Sequence, residues 1–253
     1  MYSKEFQNLV KSANKFSKEF YQDNDQKNEN PFYIGFGNPS SDILIVGQEK
    51  AISKEKHHQI FSESTENPLQ WDKMVAENIV DINYKFYDSG HFKNPLHPYD
   101  GKPKKGNTWN QYQKLIELVY PEVSNLELSN SFLLKTFITE INHEVSTSSL
   151  GNQRNTNRVN ITNHKYYNSF PLIILAVGNY LSKSEIESIY NVKFDIDNSE
   201  KNRKLVFYKN DTQKRILIHT RQMSNFFFNG QLKEKYFQQI AENINNRINA
   251  QRI

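Results

Sequence analysis

Residues that can exchange protons or form hydrogen bonds, together with two glycines, follow four apolar runs of the sequence. They are Gly47, Gln48, Glu49 and Lys50 after the first run, Glu140, Asn142 and His143 around the end of the second, Gly178 and Asn179 after the third, and His219, Thr220, Arg221, Gln222 and Ser224 after the fourth. Ligands of open α/β sheets bind beyond the carboxyl ends of the strands. The sequence therefore predicts a carboxylate, an amide, an imidazole and a guanidinium at one sheet edge.

The four apolar runs have the length of buried strands. They cover residues 43–46, 132–141, 172–177 and 216–218, and stretches with helical spacing separate them. Strands that alternate with helices form a mainly parallel sheet covered on both faces. We predict an α/β fold, a three-layer α/β/α sandwich with a central, mainly parallel four-stranded sheet. A hairpin of residues 205–208 and 215–218 is expected to add one antiparallel strand.

The helical stretches are amphipathic, and their spacing predicts helices over 3–22, 71–84, 108–120 and 231–247. The chain has 253 residues, which favours one large domain over two small ones. We therefore expect residues 1–30 to form an N-terminal helix and polar loop packed on the body, and residues 31–253 to form a single domain. Residues 143–165 read as a long polar loop.

The composition narrows the possible chemistry. The chain has no cysteine, which excludes disulfides, thiolate metal sites and cysteine nucleophiles. Its 32 basic and 28 acidic residues give a net charge of +4, which permits a nucleic-acid partner without requiring one. The sequence contains no apolar run of membrane-spanning length, and its N-terminus lacks the pattern of a secretory signal, so we expect a cytoplasmic protein.

Two segments carry a family resemblance. Residues 35–49, Gly-Phe-Gly-Asn-Pro-Ser-Ser-Asp-Ile-Leu-Ile-Val-Gly-Gln-Glu, resemble the lead-in, first core strand and catalytic loop of the uracil-DNA glycosylase superfamily. Residues 216–224 resemble its second motif, an apolar strand followed by His-Pro-Ser. Asn142 follows a strand much as the base-reading Asn of that superfamily does. The resemblance covers about residues 31–230 and identifies the chain as a divergent member.

The resemblance also implies an activity. A DNA glycosylase of this type hydrolyses the N-glycosidic bond of a flipped-out uracil or related base and leaves an abasic site. Glu49 would stabilise the oxocarbenium-like sugar and align water, and His219 would donate a hydrogen bond to the departing base. Gly47, Gln48 and Asn142 would contact the base, and Asn142 would offer it both a donor and an acceptor. The scheme requires no metal or organic cofactor, and we expect a monomer.

The contacts to DNA are expected to differ from those of the superfamily. Lys50-Ala51-Ile52 stands where the best-known branch has Pro-Tyr-His, and Thr220-Arg221 stands where it has Pro-Ser. Thr220, Arg221, Gln222 and Ser224 would grip the phosphates instead. The basic, proline-rich loop 93–107, together with Arg154, Arg158 and Lys165, would form a rim beside the same crevice.

Several alternatives stay open. Glu140 or His143 replaces Asn142 if the strand register differs by one or two residues. Lys50 has two interpretations: it is a surface charge, as is usual in a lysine-rich chain, or it is the amine of a Schiff-base lyase. The whole chain has two further interpretations, a catalytically silent superfamily member that binds DNA, a nucleobase or a nucleotide, and an unrelated α/β enzyme acting on a small phosphorylated substrate.

Overall fold

The computed structural model describes residues 1–25, 29–51, 54–55, 57–80, 108–125, 131–146, 150, 155–196, 199, 205–223 and 231–251. Its helices are α1 (Lys4–Asp23), α2 (His57–Ile60), α3 (Asn67–Ala76), α4 (Thr108–Val119), α5 (Thr156–Thr162), α6 (Lys183–Tyr190) and α7 (Gln231–Gln251). Its strands are β1 (Phe36–Gly37), β2 (Ile43–Gly47), β3 (Thr136–Glu140), β4 (Leu172–Leu175), β5 (Lys193–Asp195), β6 (Leu205–Asn210) and β7 (Arg215–Thr220). The fold is therefore mixed α/β.

All seven strands belong to one sheet with the order β1-β3-β2-β4-β7-β6-β5. The four central strands, β3, β2, β4 and β7, are parallel, as the apolar runs predict. The predicted hairpin is also present, because β6 pairs antiparallel with β7. The expectation of a single antiparallel strand is wrong, since β1 and β5 add two more. These strands have only two and three residues, too few to produce an apolar run.

The buried side chains form two main clusters that alternate along the central strands. Leu44 and Val46 of β2 belong to the cluster that contains side chains of α1 and α3. Ile43 and Ile45 belong to the cluster that contains side chains of α4 and α7. Because neighbouring residues of a strand point to opposite faces, the two clusters use the two faces of β2.

Some element bounds differ from the predictions for local reasons. α3 ends at Ala76 because Asn78 adopts a positive φ of 52° and Ile79 donates its N–H to the Met74 carbonyl at 2.9 Å, a pattern that ends helices. The run 132–141 begins with a 3₁₀ turn at Ser131–Leu134, in which Lys135 donates its N–H to the Phe132 carbonyl at 3.0 Å. The run 172–177 leaves the sheet after Leu175.

The stretch 143–165 is not one long loop, because it contains α5. Asn155 caps this helix by accepting a hydrogen bond from the Asn157 N–H at 2.9 Å. The helix carries Arg158, whose side chain is fully buried. Within the described residues, no helix is long and apolar enough to cross a membrane.

Candidate active site

The topology places a crevice between two specific strands. The chain runs from β2 to its neighbour β3 on one side and then crosses to β4 on the other side. Ligands of open α/β sheets bind where the strand order reverses in this way, at the carboxyl ends of the strands. The candidate site is therefore the pair of segments that follow β2 and β4.

The turn after β4 connects three of the residues that the sequence nominates. Gln48 donates its side-chain amide to the Val177 carbonyl at 3.1 Å. Tyr180, which ends the 3₁₀ turn Gly178–Tyr180, donates its hydroxyl to Glu49 Oε1 at 3.0 Å. His219 Nε2 lies 2.7 Å from the Gly178 carbonyl oxygen. The polar residues after β2 and at the end of β7 thus converge on one turn.

The backbone after β2 stays paired with the backbone after β3. The N–H of Asn142 donates to the Gln48 carbonyl at 2.9 Å, and the N–H of Ser146 donates to the Lys50 carbonyl at 3.0 Å. This extended pairing brings the Asn142 side chain beside Glu49, and Asn142 Nδ2 donates to Glu49 Oε2 at 3.2 Å. The predicted proximity of the carboxylate and the amide is present in the structure.

The Glu49 carboxylate is buried and accepts three hydrogen bonds. Oε1 accepts from the Tyr180 hydroxyl and from the Leu150 N–H at 3.3 Å, and Oε2 accepts from Asn142. Burial raises the pKa of Glu49, whereas these hydrogen bonds oppose that rise because they stabilise the ionised form. A carboxylate has about four lone-pair positions, so among the described residues one position on Oε2 remains for a water or a substrate.

The Asn142 side chain is 4% exposed, and its amide has only one end satisfied. Nδ2 donates to Glu49, whereas the buried Oδ1 has no hydrogen-bond partner among the described residues. A buried acceptor without a donor is energetically unfavourable, and a ligand N–H would satisfy it. Asn142 therefore presents an unsatisfied acceptor in this conformation, and its Nδ2 atom carries a second N–H besides the one donated to Glu49.

The His219 ring has one nitrogen already engaged. A carbonyl oxygen only accepts, so the Nε2 atom facing Gly178 carries the proton, and a neutral ring then leaves Nδ1 as an acceptor. Burial lowers the pKa of His219, which favours this neutral form. The N–H that would donate to a departing base is therefore bound to the Gly178 carbonyl in this conformation.

Two glycines of the candidate site have close neighbours. A Cβ at Gly47 would lie 3.2 Å from the Tyr112 hydroxyl and 3.5 Å from Glu140 Cγ, so this position is closely packed. Gly178 has a φ of +58°, a left-handed conformation that favours glycine, and a Cβ there would lie 3.1 Å from Gln48 Nε2. Gly178 thus shapes the turn that Gln48 and His219 contact.

Lys50 is not a surface charge: its side chain is buried. Its Nζ lies 3.4 Å from Glu140 Oε2 and 3.1 Å from the centroid of the Tyr33 ring. Glu140 also accepts a hydrogen bond from the Tyr33 hydroxyl. On the same ring, the Arg158 guanidinium carbon lies 3.9 Å from the centroid. We call Tyr33, Lys50, Glu140 and Arg158 the buried ionic cluster.

Arg158 connects the buried ionic cluster to the backbone. Its Nε donates to the Glu140 carbonyl at 3.0 Å, Nη2 donates to Thr139 Oγ1 at 2.7 Å, and Nη1 donates to the Tyr33 carbonyl. The residue is therefore part of the interior and not of the predicted basic rim. Sequence reasoning missed this role because Arg158 lies far along the chain from Tyr33 and follows no strand.

The two alternatives to Asn142 have other surroundings. Glu140 ends β3, pairs in register with Gly47 and belongs to the buried ionic cluster. His143 is buried, and desolvation together with the nearby Arg158 and Lys50 charges lowers its pKa to about 4, so it is neutral at neutral pH. Asn142 is the one of the three that hydrogen-bonds to the Glu49 carboxylate.

The residues that are predicted to contact DNA differ in exposure. Thr220 is buried at the end of β7, whereas Arg221 and Gln222 are half-buried just beyond it. Ser224, Arg154 and the loop 93–107 lie outside the described residues. Lys165 is exposed in the segment between α5 and β4. In the part of the chain that the structure covers, Arg221 and Gln222 thus offer side-chain surface next to the candidate site.

Sequence reasoning also missed Tyr180. It lies two residues after Gly178, in a segment from which only Gly178 and Asn179 were predicted to belong to the site. The available signal was an aromatic residue with a polar hydroxyl shortly after an apolar run.

Among the described residues, no group of three or more His, Asp or Glu side chains is arranged to hold a metal ion.

Comparison with known proteins identifies no relative. No protein-family model, no curated protein and no solved structure matches the chain.

Proposed function

We propose that the protein is a DNA glycosylase of the uracil type, which hydrolyses the bond between a base and its deoxyribose and leaves an abasic site. The observation that carries the proposal is the direct contact between Glu49 and Asn142 in the crevice beyond β2. A carboxylate beside an amide with an unsatisfied acceptor suits a reaction in which a sugar gains positive charge while a polar base is held. The resemblance to the uracil-DNA glycosylase superfamily supports the same activity.

The arrangement of the helices around the sheet supports this proposal. The two buried clusters, one with α1 and α3 and the other with α4 and α7, agree with a three-layer α/β/α sandwich around the four parallel strands. That arrangement leaves the carboxyl ends of the strands as the place for a ligand. In this proposal, a base flipped out of DNA enters the crevice at the turn after β4.

The carboxylate of Glu49 has the role of electrostatic stabilisation. As the glycosidic bond lengthens, the sugar acquires oxocarbenium character, and a fixed carboxylate stabilises that charge. The hydrogen bonds from Tyr180, Asn142 and Leu150 hold the carboxylate in place before the reaction. The remaining lone pair of Oε2 orients the water that attacks the sugar.

Asn142 supplies selectivity for the base. Uracil carries an N–H at position 3 that donates to Asn142 Oδ1, whereas cytosine carries an unprotonated nitrogen there and would face the oxygen with a second acceptor. A site built around a buried acceptor rejects a ligand that leaves it unpaired. The proposal thus predicts release of uracil and exclusion of cytosine.

His219 has to exchange its partner to take part. Its Nε2–H donates to the Gly178 carbonyl, and the same proton would donate to O2 of the departing base after a small rotation of the ring. The hydrogen bond would then stabilise the negative charge that develops on the base. Arg221 and Gln222, just beyond β7, would contact the phosphates.

A base-release assay tests the proposal. Single-stranded and double-stranded oligonucleotides with one uracil are incubated with the protein and then with alkali, which cleaves at an abasic site. We expect cleavage at the uracil, a loss of about 10²- to 10⁴-fold for Glu49→Gln, and no change for Glu19→Gln, which alters an exposed carboxylate of α1. No cleavage with uracil or with other altered bases would contradict the proposal.

The bond from His219 to Gly178 favours a second candidate function. A histidine whose proton is committed to the backbone fits a catalytically silent member of the superfamily, which binds DNA, a nucleobase or a nucleotide without cleaving it. Such a protein would form a DNA complex that weakens steeply with salt and would release no base. Fluorescence anisotropy measured beside the base-release assay separates the two functions.

A further inference from the structure

Lys50 is the one member of the buried ionic cluster with a nucleophilic nitrogen next to the candidate site. It follows Glu49 directly, and its backbone carbonyl accepts the hydrogen bond from Ser146 that continues the pairing beyond β2. Its side chain lies on the Tyr33 ring and 5.3 Å from the centroid of the Phe36 ring. These contacts place a buried amine beside a carboxylate, one residue from the proposed catalytic glutamate.

The amine is poorly satisfied where it lies. Its Nζ is 3.4 Å from Glu140 Oε2, without the alignment of a hydrogen bond, and it makes no hydrogen bond to any other residue that the structure describes. The Tyr33 hydroxyl donates a hydrogen bond to the same Oε2 atom. Lys50 is therefore held between the rings of Tyr33 and Phe36 and the Glu140 carboxylate, with the charge of Glu63 also acting on it, and not by a network of hydrogen bonds.

We propose that Lys50 forms an imine with the aldehyde of an abasic deoxyribose in DNA, which gives the protein a lyase activity. The inference builds on the proposed function, because an abasic sugar is the product of that reaction. It concerns a different bond and a different residue, however, so it is tested without base release. The ligand class is an aldehyde on a DNA backbone.

The chemistry needs only groups that are present, together with water. Glu140 accepts a proton from the ammonium, and the neutral nitrogen attacks C1′ of the open-chain sugar. Glu140 returns the proton to the hydroxyl of the resulting carbinolamine, and loss of water leaves a protonated imine between Nζ and C1′. The Glu140 carboxylate then removes a proton from C2′, the bond between C3′ and its oxygen breaks, and the 3′ phosphate leaves with the electron pair. Water hydrolyses the imine and restores the amine.

The surroundings of Lys50 suit this step. Desolvation lowers the pKa of Lys50 to about 8, so a larger neutral fraction is present at neutral pH than for an exposed lysine. Glu140 ends β3 in register with Gly47, which places the proton acceptor at the same carboxyl edge as Glu49. The Nζ atom is covered in this conformation, so the aldehyde reaches it when the pair with Glu140 opens.

Borohydride trapping tests the inference. An oligonucleotide with a preformed abasic site is incubated with the protein and sodium borohydride, which reduces an imine to a stable secondary amine. We expect a covalent complex on a denaturing gel, and mass spectrometry of its peptides should place the added sugar on residue 50. Without borohydride, the abasic strand should be cleaved in the absence of alkali.

Two variants complete the experiment. Lys50→Arg keeps the charge but removes the nucleophilic amine, so the complex should be lost, whereas Lys54→Arg alters an exposed lysine four residues away and should leave it unchanged. The peptide assignment uses the natural protein and does not depend on whether a variant folds. Absence of a complex, or its location on another lysine, would overturn the inference even if uracil is released. A complex on Lys50 would support it even if no base is released.

Discussion

The Tyr180 hydroxyl donates a hydrogen bond to Glu49 Oε1 at 3.0 Å, and both side chains are buried. Tyr180 belongs to the turn after β4, and Glu49 belongs to the segment after β2. The hydrogen bond therefore spans the crevice between two central strands. Because it stabilises the ionised carboxylate, it counteracts the burial that raises the pKa of Glu49.

Tyr180→Phe should shift the pH dependence of base release. Without the hydroxyl, the ionised form of Glu49 loses a stabilising hydrogen bond, so the pKa of Glu49 rises further. The acid limb of the rate profile should then move to higher pH. Rates measured from pH 4 to 9 provide the test. Tyr208→Phe, a buried tyrosine on β6, is the control and should leave the limb in place. Equal profiles for Tyr180→Phe and the natural protein would contradict the proposed role.

Asn142→Asp should be more damaging than its small change in shape suggests. The substitution replaces the donor at 3.2 Å from Glu49 Oε2 with a second carboxylate, and two carboxylates this close cannot both be ionised. The pKa of the pair should rise and activity at neutral pH should fall, and the affinity for DNA without uracil is measured as the control. Asn142→Ala, which removes the donor without adding charge, should retain the acid limb better than Asn142→Asp. The reverse order would contradict the interpretation.

The sequence predicts the central sheet because its four parallel strands are buried on both faces and therefore read as continuous apolar runs. It does not predict their order, since pairing depends on how the connections cross the sheet. β1 and β5 were missed for a different reason. They have only two and three residues, too few for a repeating pattern of side chains to indicate a strand.

The candidate site, like the sheet, could be predicted from the sequence only in part. Glu49 and Asn142 were predictable because each follows a strand, and neighbouring parallel strands end at one edge. One of the two interpretations of Lys50 placed it at the surface, as is usual for a lysine in a lysine-rich chain. Its surroundings come from Tyr33, which precedes the first parallel strand, and from Glu140 at the end of the second.

Gly178→Ala should destabilise the protein and disturb the candidate site together. A left-handed backbone costs a residue with a Cβ about 1–2 kcal/mol, and the added atom would lie 3.1 Å from Gln48 Nε2. Urea unfolding should show this loss in the free energy of unfolding. Asn179→Ala, at the exposed neighbouring position, is the matched control and should cost little. An unchanged midpoint for Gly178→Ala would show that the turn relaxes without cost.

Lys50 should make stability increase with pH over a defined range. Burial lowers its pKa from 10.5 to about 8 in the folded chain. Between these values the unfolded chain binds the proton that the folded chain has released, so the free energy of unfolding should rise by about 1 kcal/mol per pH unit. Above pH 10 the sign reverses, because burial raises the pKa of tyrosines such as Tyr33 in the folded chain. Urea unfolding at pH 7.5, 8.5 and 9.5 measures the slope. Lys50→Met should abolish the rise, and Lys54→Met should preserve it. If the free energy of unfolding of Lys50→Met rose equally with pH, another group would be responsible. The pKa of Lys50 in the folded chain would then be that of an ordinary lysine.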